Sequence, residues 1–299
     1  MGARVLAMLL TALVMISIGT GAQAPAPGAA AAAPQGGRQG GPGGNQFAGQ
    51  TPVNAMIVTG GCCHDYTGQT KALMDTLNAV MPIHWTVVQG MTSLPDGRLP
   101  LFDSADWARG FDIVVHNECW ANVDLAPEVI RRITSAAVPR IFFHCALHSY
   151  RVMTDDSWRE LIGATSRRHT RSHNIEVKWA QGHPITDGLP PYVTPIDELY
   201  VIEKEWPGFR ALATAVSPEE GNPTFPLVWT HDYRGTRVFG TSLGHGNETW
   251  QTNQFKELVT RGFRWALKRE PIALPPPPQP ARGGGAGGQG RGGAAAGAQ

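Results

Sequence analysis

Histidine is the residue type in this chain whose placement points most directly to chemistry. His64, His116, His144, His148, His183, His231 and His245, seven of the ten histidines, stand at or just past the end of a short apolar run that reads as a β-strand. In an open α/β sheet, ligands bind in the crevice beyond the carboxyl ends of the strands. Imidazole is the side chain suited to acid/base work near neutral pH and a common metal ligand. The pattern predicts one polar pocket at one edge of a sheet.

Five segments carry the candidates. Gly60-Gly61-Cys62-Cys63-His64-Asp65 follows the first strand. Its paired glycines allow either a tight turn or a close backbone approach to a ligand. In His116-Asn117-Glu118-Cys119-Trp120 a carboxylate beside a histidine suits a metal ligand or an acid/base partner, while Trp120 reads as packing. Phe142-Phe143-His144-Cys145-Ala146-Leu147-His148-Ser149 places polar residues on a sharp turn after a strand, the geometry of a nucleophile elbow. Cys145 is the candidate nucleophile there and His144 its competitor. The small residues that let an elbow thiol stand exposed are missing, and a thiol close to Phe142 and Phe143 is desolvated, which disfavours the reactive thiolate. The choice therefore falls on His144. Gly182-His183-Pro184, with the later Asp197-Glu198, and Ser242-Leu243-Gly244-His245-Gly246 complete the set.

These residues need a scaffold, and apolar spacing supplies one. Strands are predicted at 53–59, 85–88, 112–116 and 140–144, the third a continuous β-branched run of the kind buried parallel strands show. Helices are predicted at 71–80 and 127–135 from apolar residues at helical spacing, and from Thr154 as cap to Ile162, closed by Gly163. This β-α-β-β-α-β-α order predicts a three-layer, doubly wound α/β fold with a mostly parallel sheet. Short strands follow at 175–179, 200–202, 210–214 and 227–230. Arg234-Gly235 turns the last of them into 237–241 as an antiparallel hairpin, and an amphipathic helix over 253–268 ends the pattern.

The 299 residues do not all join this scaffold. Residues 5–18 are an apolar run behind Arg4, followed by Ala22-Gln23-Ala24, and read as a secretory signal peptide over residues 1–24. Residues 25–50 and 271–299 are dominated by Ala, Pro, Gly and Gln, cannot bury apolar surface and are expected to be disordered. The remaining core, 51–270, holds 21 basic and 24 acidic residues once the four tail arginines are set aside, a net charge of −3. No basic face is implied, so nucleic acid is excluded as the expected partner. After signal cleavage no membrane partner is expected either, and the location is periplasmic or secreted. Cys62, Cys63, Cys119 and Cys145 form neither a disulfide ladder nor a CxxC zinc pair. All four fall near strand ends, and their spacing leaves any pairing open.

Taken together, the segments resemble ThuA-like (trehalose-utilisation) domains, relatives of class I glutamine amidotransferases. The residues that carry the likeness are Thr59-Gly60-Gly61 with His64-Asp65, Phe142-Phe143-His144, His169, the HPITDGLP run at 183–190, Asp197-Glu198-Leu199-Tyr200, VFGTSLGHG at 238–246 and Trp265-Ala266. The resemblance implies a flavodoxin-like, class I glutamine amidotransferase-like sheet, with histidine at the elbow where the amidotransferases have cysteine. It also implies an association with sugar metabolism, including disaccharides oxidised to keto-sugars. The expectation is an exported protein that binds a carbohydrate-derived small molecule and acts on it. His64, His144 and His245 would form its centre, Glu118 and Glu198 its carboxylate partners. Gly60, Gly61, Asp65, His148, His183 and Gly244 would stand around the ligand. A divalent metal on His64, His144 and His245 is the candidate cofactor. The alternatives are a cysteine-dependent amidase or hydrolase using Cys145 and His245, or a non-catalytic sugar-binding module.

Overall fold

The computed structural model describes residues 47–90 and 99–269. The expected signal peptide, nearly all of the N-terminal linker and the C-terminal tail lie outside the described residues.

The elements run β1 (Val53–Gly61), α1 (Tyr66–Asn78), β2 (Ile83–Gly90), β3 (Ile113–Cys119), α2 (Pro127–Ser135), β4 (Arg140–Phe143) and α3 (Ser157–Ile162). There follow β5 (Ala164–His169), β6 (His173–Trp179), β7 (Tyr192–Asp197), β8 (Tyr200–Glu205), β9 (Arg210–Val216), β10 (Thr224–Tyr233) and β11 (Thr236–Thr241). Helices α4 (Asn247–Gln251) and α5 (Asn253–Ala266) close the fold. Among the described residues one nine-stranded sheet has the order β2-β1-β3-β4-β11-β10-β9-β6-β7, and β5 pairs with β8 beside it. The first five strands are mutually parallel and the rest alternate antiparallel.

The alternation of side chains along β1 explains the layers. Val53, Ala55 and Ile57 face one apolar cluster with Leu73 and Leu77 of α1 and Phe255, Leu258 and Phe263 of α5. Met56 and Val58 face the other, with Val129, Ile130 and Ile133 of α2 and Trp158 and Leu161 of α3. A sheet buried on both faces needs apolar residues at every position, and the continuous runs in β1 and β3 provide them.

Several local readings shift. Helix α1 starts at Tyr66 rather than near Lys71, because the Asp65 carboxylate accepts the Gly68 N–H at 2.9 Å and caps the first turn. Asp156, not Thr154, stands at the N-terminal cap of α3, while Gly163 closes it in a left-handed conformation as expected. Strands β5 and β7 were not expected. Their alternation is interrupted by Arg167 and Arg168 in one and Pro195 in the other.

Strand direction decides which histidines can meet. Strands β1, β3, β4 and β11 point their carboxyl ends at one edge of the sheet, and β7, alternating through β10, β9 and β6, points the same way. Strands β6 and β10 end at the opposite edge. His183 after β6 and His231 in β10 are thereby excluded from any common pocket with His64. The order β2-β1-β3-β4 reverses direction of winding at β1/β3, the place where open α/β sheets form their ligand crevice.

Candidate functional site: a histidine and carboxylate centre

His64 follows β1, His144 follows β4, His245 follows β11 and Glu198 follows β7. Their chain positions are remote, but the shared edge brings them together. The His64 and His144 ring centres are 4.8 Å apart, His64 and His245 5.1 Å, and His144 and His245 5.4 Å. One ring nitrogen from each lies within 4.8 Å of the others. Glu198 Oε2 sits 3.4 Å from His144 Nε2, 3.3 Å from His245 Nδ1 and 3.5 Å from His169 Nε2.

His144 takes the elbow. It follows the last residue of β4 directly and has φ 39°, an uncommon conformation for a residue with a Cβ. Backbone strain of this kind persists only where surrounding contacts hold it. Here the His144 Nδ1–H donates to the Ser242 carbonyl at 2.7 Å. Cys145, one residue on, is disulfide-bonded to Cys119, and so carries no thiol. The cysteine-hydrolase alternative loses its nucleophile. A second bridge joins Cys62 to Cys63.

The ring nitrogens are assigned by their partners. A carbonyl oxygen can only accept, so Nδ1 is the protonated nitrogen of His64 against His245 O (3.2 Å), of His144 against Ser242 O and of His169 against Thr170 O (2.9 Å). In each neutral ring the lone pair then lies on Nε2. At His144 and His169 that lone pair faces the same oxygen of Glu198. Two lone-pair nitrogens against a carboxylate oxygen repel unless a cation, a proton or a metal ion, lies among them. His144 Nε2 and His245 Nδ1 are buried and have no hydrogen-bond partner. Holding Nδ1–H on a backbone carbonyl is also how proteins fix a metal-binding imidazole.

Electrostatics agree with this division. Burial, reinforced by the charges of His144 and His245, pushes His64 down to about 3, so it stays neutral near pH 7. Burial pushes the Glu198 carboxyl up, but once a proton lies between it and His144, that hydrogen bond and the positive charges of His144, His169 and His245 outweigh burial and bring it down to about 2, the proton-bridged form of the same cluster.

The other candidates have different places. Glu118 points into the core on the α3 side. It contacts His116 at 2.9 Å, and burial drives Glu118 well up and His116 well down, so the two meet as neutral groups. His116 stacks on Phe142 at 4.7 Å. Asp65 is the cap of α1 and also accepts from Asn247 at 2.7 Å. Gly60 and Gly61, at φ 116° and 99°, approach neighbouring strands rather than a ligand: an added Cβ would lie 2.2 Å from Gly90 O and 2.1 Å from Cys119 O. Gly244 spends both backbone groups on the protein, its N–H on Asp197 and its carbonyl on Gln69 and Trp250. His183 packs against Trp265 far from the centre. His148 lies close by, stacked on Tyr200 at 4.0 Å and hydrogen-bonded to Ser166 at 3.0 Å.

Sequence reasoning quoted Asp197 beside Glu198 without giving it a role, and missed Gln69. Asp197 is fully buried and accepts the N–H groups of Glu198, Gly244 and His245 and the Thr249 hydroxyl. Gln69 donates to the carbonyls of Gly244 and His245 and accepts from Asn117. These two fix the loop that carries His245. An acid at the end of β7 was visible in Asp197-Glu198, but only the fold shows which oxygen serves which loop. The centre opens into a cavity of about 300 Å³ lined also by the cysteines, Asn122, Arg151 and His169.

A family profile described as ThuA, trehalose utilisation, matches residues 108–266. A solved ThuA-like protein from Parabacteroides merdae is 20% identical, with a TM-score of 0.60, covering 76% of this chain and 94% of that one. Another from Bacteroides uniformis is 15% identical, with a TM-score of 0.58, covering 75% of this chain and 95% of that one. At these identities the likeness speaks for the fold. A search of curated proteins finds no match. The profile spans more than half of the chain and includes His144, Glu198 and His245, and the chain belongs to the ThuA family, whose description links it to trehalose utilisation.

Proposed function

We propose that this protein is an exported enzyme that acts on a carbohydrate-derived small molecule, a disaccharide or its keto derivative, at the centre formed by His64, His144, His245 and Glu198. The observation that carries this reading is the cluster of lone-pair nitrogens around one carboxylate oxygen. We further assign a divalent cation to His64, His144 and His245. The donor set fits: three imidazoles converge, and two of them, His64 and His144, have the second nitrogen tied to a backbone carbonyl, an arrangement that suits zinc and its neighbours. The 4.8 Å limit on nitrogen separations exceeds the ~3.4 Å expected for tetrahedral zinc with Zn–N bonds of ~2.05 Å. Small rotations of His64 and His245, both only partly buried, cover the difference. When bound, such an ion would polarise a carbonyl or hydroxyl of the ligand.

The protein's own groups have the remaining tasks. With its Nδ1–H on the His245 carbonyl, neutral His64 has one lone pair, on Nε2, which would hold the cation or, in a metal-free site, accept a proton from carbon beside a keto group. Glu198 holds the rings in register. Export and a periplasmic or secreted location follow from the signal-like residues 1–24. No helix among the described residues is long and apolar enough to cross a membrane.

The test is elemental analysis of the purified protein, combined with a screen of disaccharides and their keto derivatives for turnover. About one divalent ion per chain and turnover of a sugar, both lost in His144→Ala, are expected. Tight sugar binding without turnover by any preparation would instead identify a binding module. A protein free of metal that gains none on incubation with zinc, manganese or nickel would refute the cation assignment.

A further inference from the structure

Resting on the reading of this cavity as a carbohydrate site, we propose that the Cys62–Cys63 bridge is a binding platform whose sulfur and methylene surface stacks on the C–H face of a pyranose ring. A pyranose is amphipathic: its ring face presents carbon-bound hydrogens and its edge presents hydroxyls. A site for it needs an apolar surface as well as polar groups.

The polar groups are plain: His64, His169, Glu198, His245, Asn122 and Arg151 all line the cavity. Aromatic rings usually offer the apolar surface, but none is free here. Tyr200, the cavity's one phenol, is 1% exposed and has His148 stacked on its face. What the cavity has instead is sulfur. All four cysteines line it together with Ala121. Cys119 and Cys145 form a small apolar cluster with Tyr66, against which Ala121 packs, while Cys62 and Cys63 are exposed. Disulfide sulfur is polarisable, carries no hydrogen-bond donor and favours contact with apolar surface.

The platform is held rigidly. A bridge between adjacent residues closes a small covalent ring with the backbone. The Cys62 N–H donates to Cys119 O at 3.1 Å, and the Tyr66 hydroxyl donates to Cys62 O at 2.7 Å. Cys63 has φ 86°, a conformation that residues with a Cβ rarely adopt and that is found at ligand clamps. The sulfurs of Cys62, Cys63 and Cys119 lie within 4.8 Å of one another, so the second bridge lies immediately beside the first. A surface already fixed loses no freedom when a ligand settles on it. His64 comes next in sequence, so a ring seated on the platform would sit beside the catalytic centre. A cavity of about 300 Å³ lies at the lower end of ligand sites, about 300–1,000 Å³, which suits one ring rather than a long oligosaccharide.

The experiment uses the full chain and trehalose, with its keto derivative as second probe. Saturation-transfer NMR on the unmodified protein should show the strongest transfer at the ring methine protons of one glucose face. Calorimetry on Cys62→Ser/Cys63→Ser should show affinity falling roughly tenfold, the loss expected for a modest apolar contact, with metal content and melting temperature retained. Unchanged affinity in the double variant, or transfer confined to the hydroxymethyl protons, overturns the platform and leaves the sugar site standing. Binding of neither sugar to the unmodified protein overturns both. Should the double variant fail to fold, the NMR experiment on the unmodified protein decides.

Discussion

Asp197→Asn is the sharpest test of how the site is held. The Asp197 carboxylate is fully buried and accepts four hydrogen bonds. Oδ1 takes the N–H groups of Glu198 at 2.8 Å and His245 at 3.2 Å, and Oδ2 takes the Gly244 N–H at 3.0 Å and the Thr249 hydroxyl at 2.8 Å. Asparagine keeps one oxygen and puts an NH₂ group in place of the other. With the amide nitrogen at the Oδ2 position, the Thr249 hydroxyl can turn and accept, but the Gly244 N–H meets a donor. The flipped amide is worse, because two backbone N–H groups then face nitrogen. The variant loses charge-assisted bonds, each contributing ~1.5–3 kcal/mol, and leaves at least one buried donor unpaired, so a destabilisation of about 2–4 kcal/mol is expected. The same loop carries His245, so metal retention should fall as well. Urea denaturation followed by tryptophan fluorescence gives the stability, and elemental analysis gives the ion. A loss under about 1 kcal/mol with full metal content would refute the assignment of Asp197 as the anchor of this loop.

Other outcomes follow from the same geometry. His144→Ala should lower turnover by at least ~10²-fold while the protein still folds, measured on whichever sugar the screen identifies. Cys145→Ala should keep turnover but lose about 3 kcal/mol of stability, because it opens a bridge between residues 26 apart; a dead but folded variant would restore cysteine chemistry. Gly61→Ala should fail to fold or lose more than ~3 kcal/mol, since its Cβ would lie 2.1 Å from Cys119 O at φ 99°; near-native melting would contradict the strand packing described. Burial brings His148 down to about 3 from 6.5, so the unfolded chain binds its proton first as pH falls. Stability should therefore be complete above pH 6.5 and decline toward pH 3, and His148→Gln, which keeps a donor for Ser166, should flatten that decline in pH-dependent denaturation.

The sequence was most legible where periodicity and strand direction agree. Apolar runs located β1, β3 and β4, and the glycines and histidines after them marked the edge that carries the site. His64, His144 and His245 were chosen because they follow strands, and those strands do converge; Glu198 was chosen as a carboxylate partner and stands at the end of β7, a strand the apolar spacing did not predict. The same rule misplaced His183 and His231, because β6 and β10 run the other way, and direction depends on long-range pairing that local spacing does not encode. Glu118 was misjudged by parity: β3 continues through Cys119, so residue 118 alternates into the core rather than leaving the strand. Gly60 and Gly61 signalled close approach, as paired glycines do, but the thing approached is neighbouring backbone. Gln69 leaves no local signal, and Asp197, visible beside Glu198, does not reveal its role, since the partners of the two lie about 50 (Asp197) and 175 (Gln69) residues away in the chain.

That separation has a kinetic consequence. His64 and the His245 carbonyl it binds are 181 positions apart, and His144 and Ser242 are 98 apart. No fragment of the chain contains the centre. Closing such long loops costs entropy before any contact rewards it, and chains dominated by remote pairings fold slowly. In a zinc finger the ion drives a short chain to fold. Here β1, β4 and β11 must all be docked before the three histidines face one another, so an ion cannot nucleate the sheet. Uptake of a metal during refolding would therefore report the arrival of the last strands, lagging behind the recovery of secondary structure.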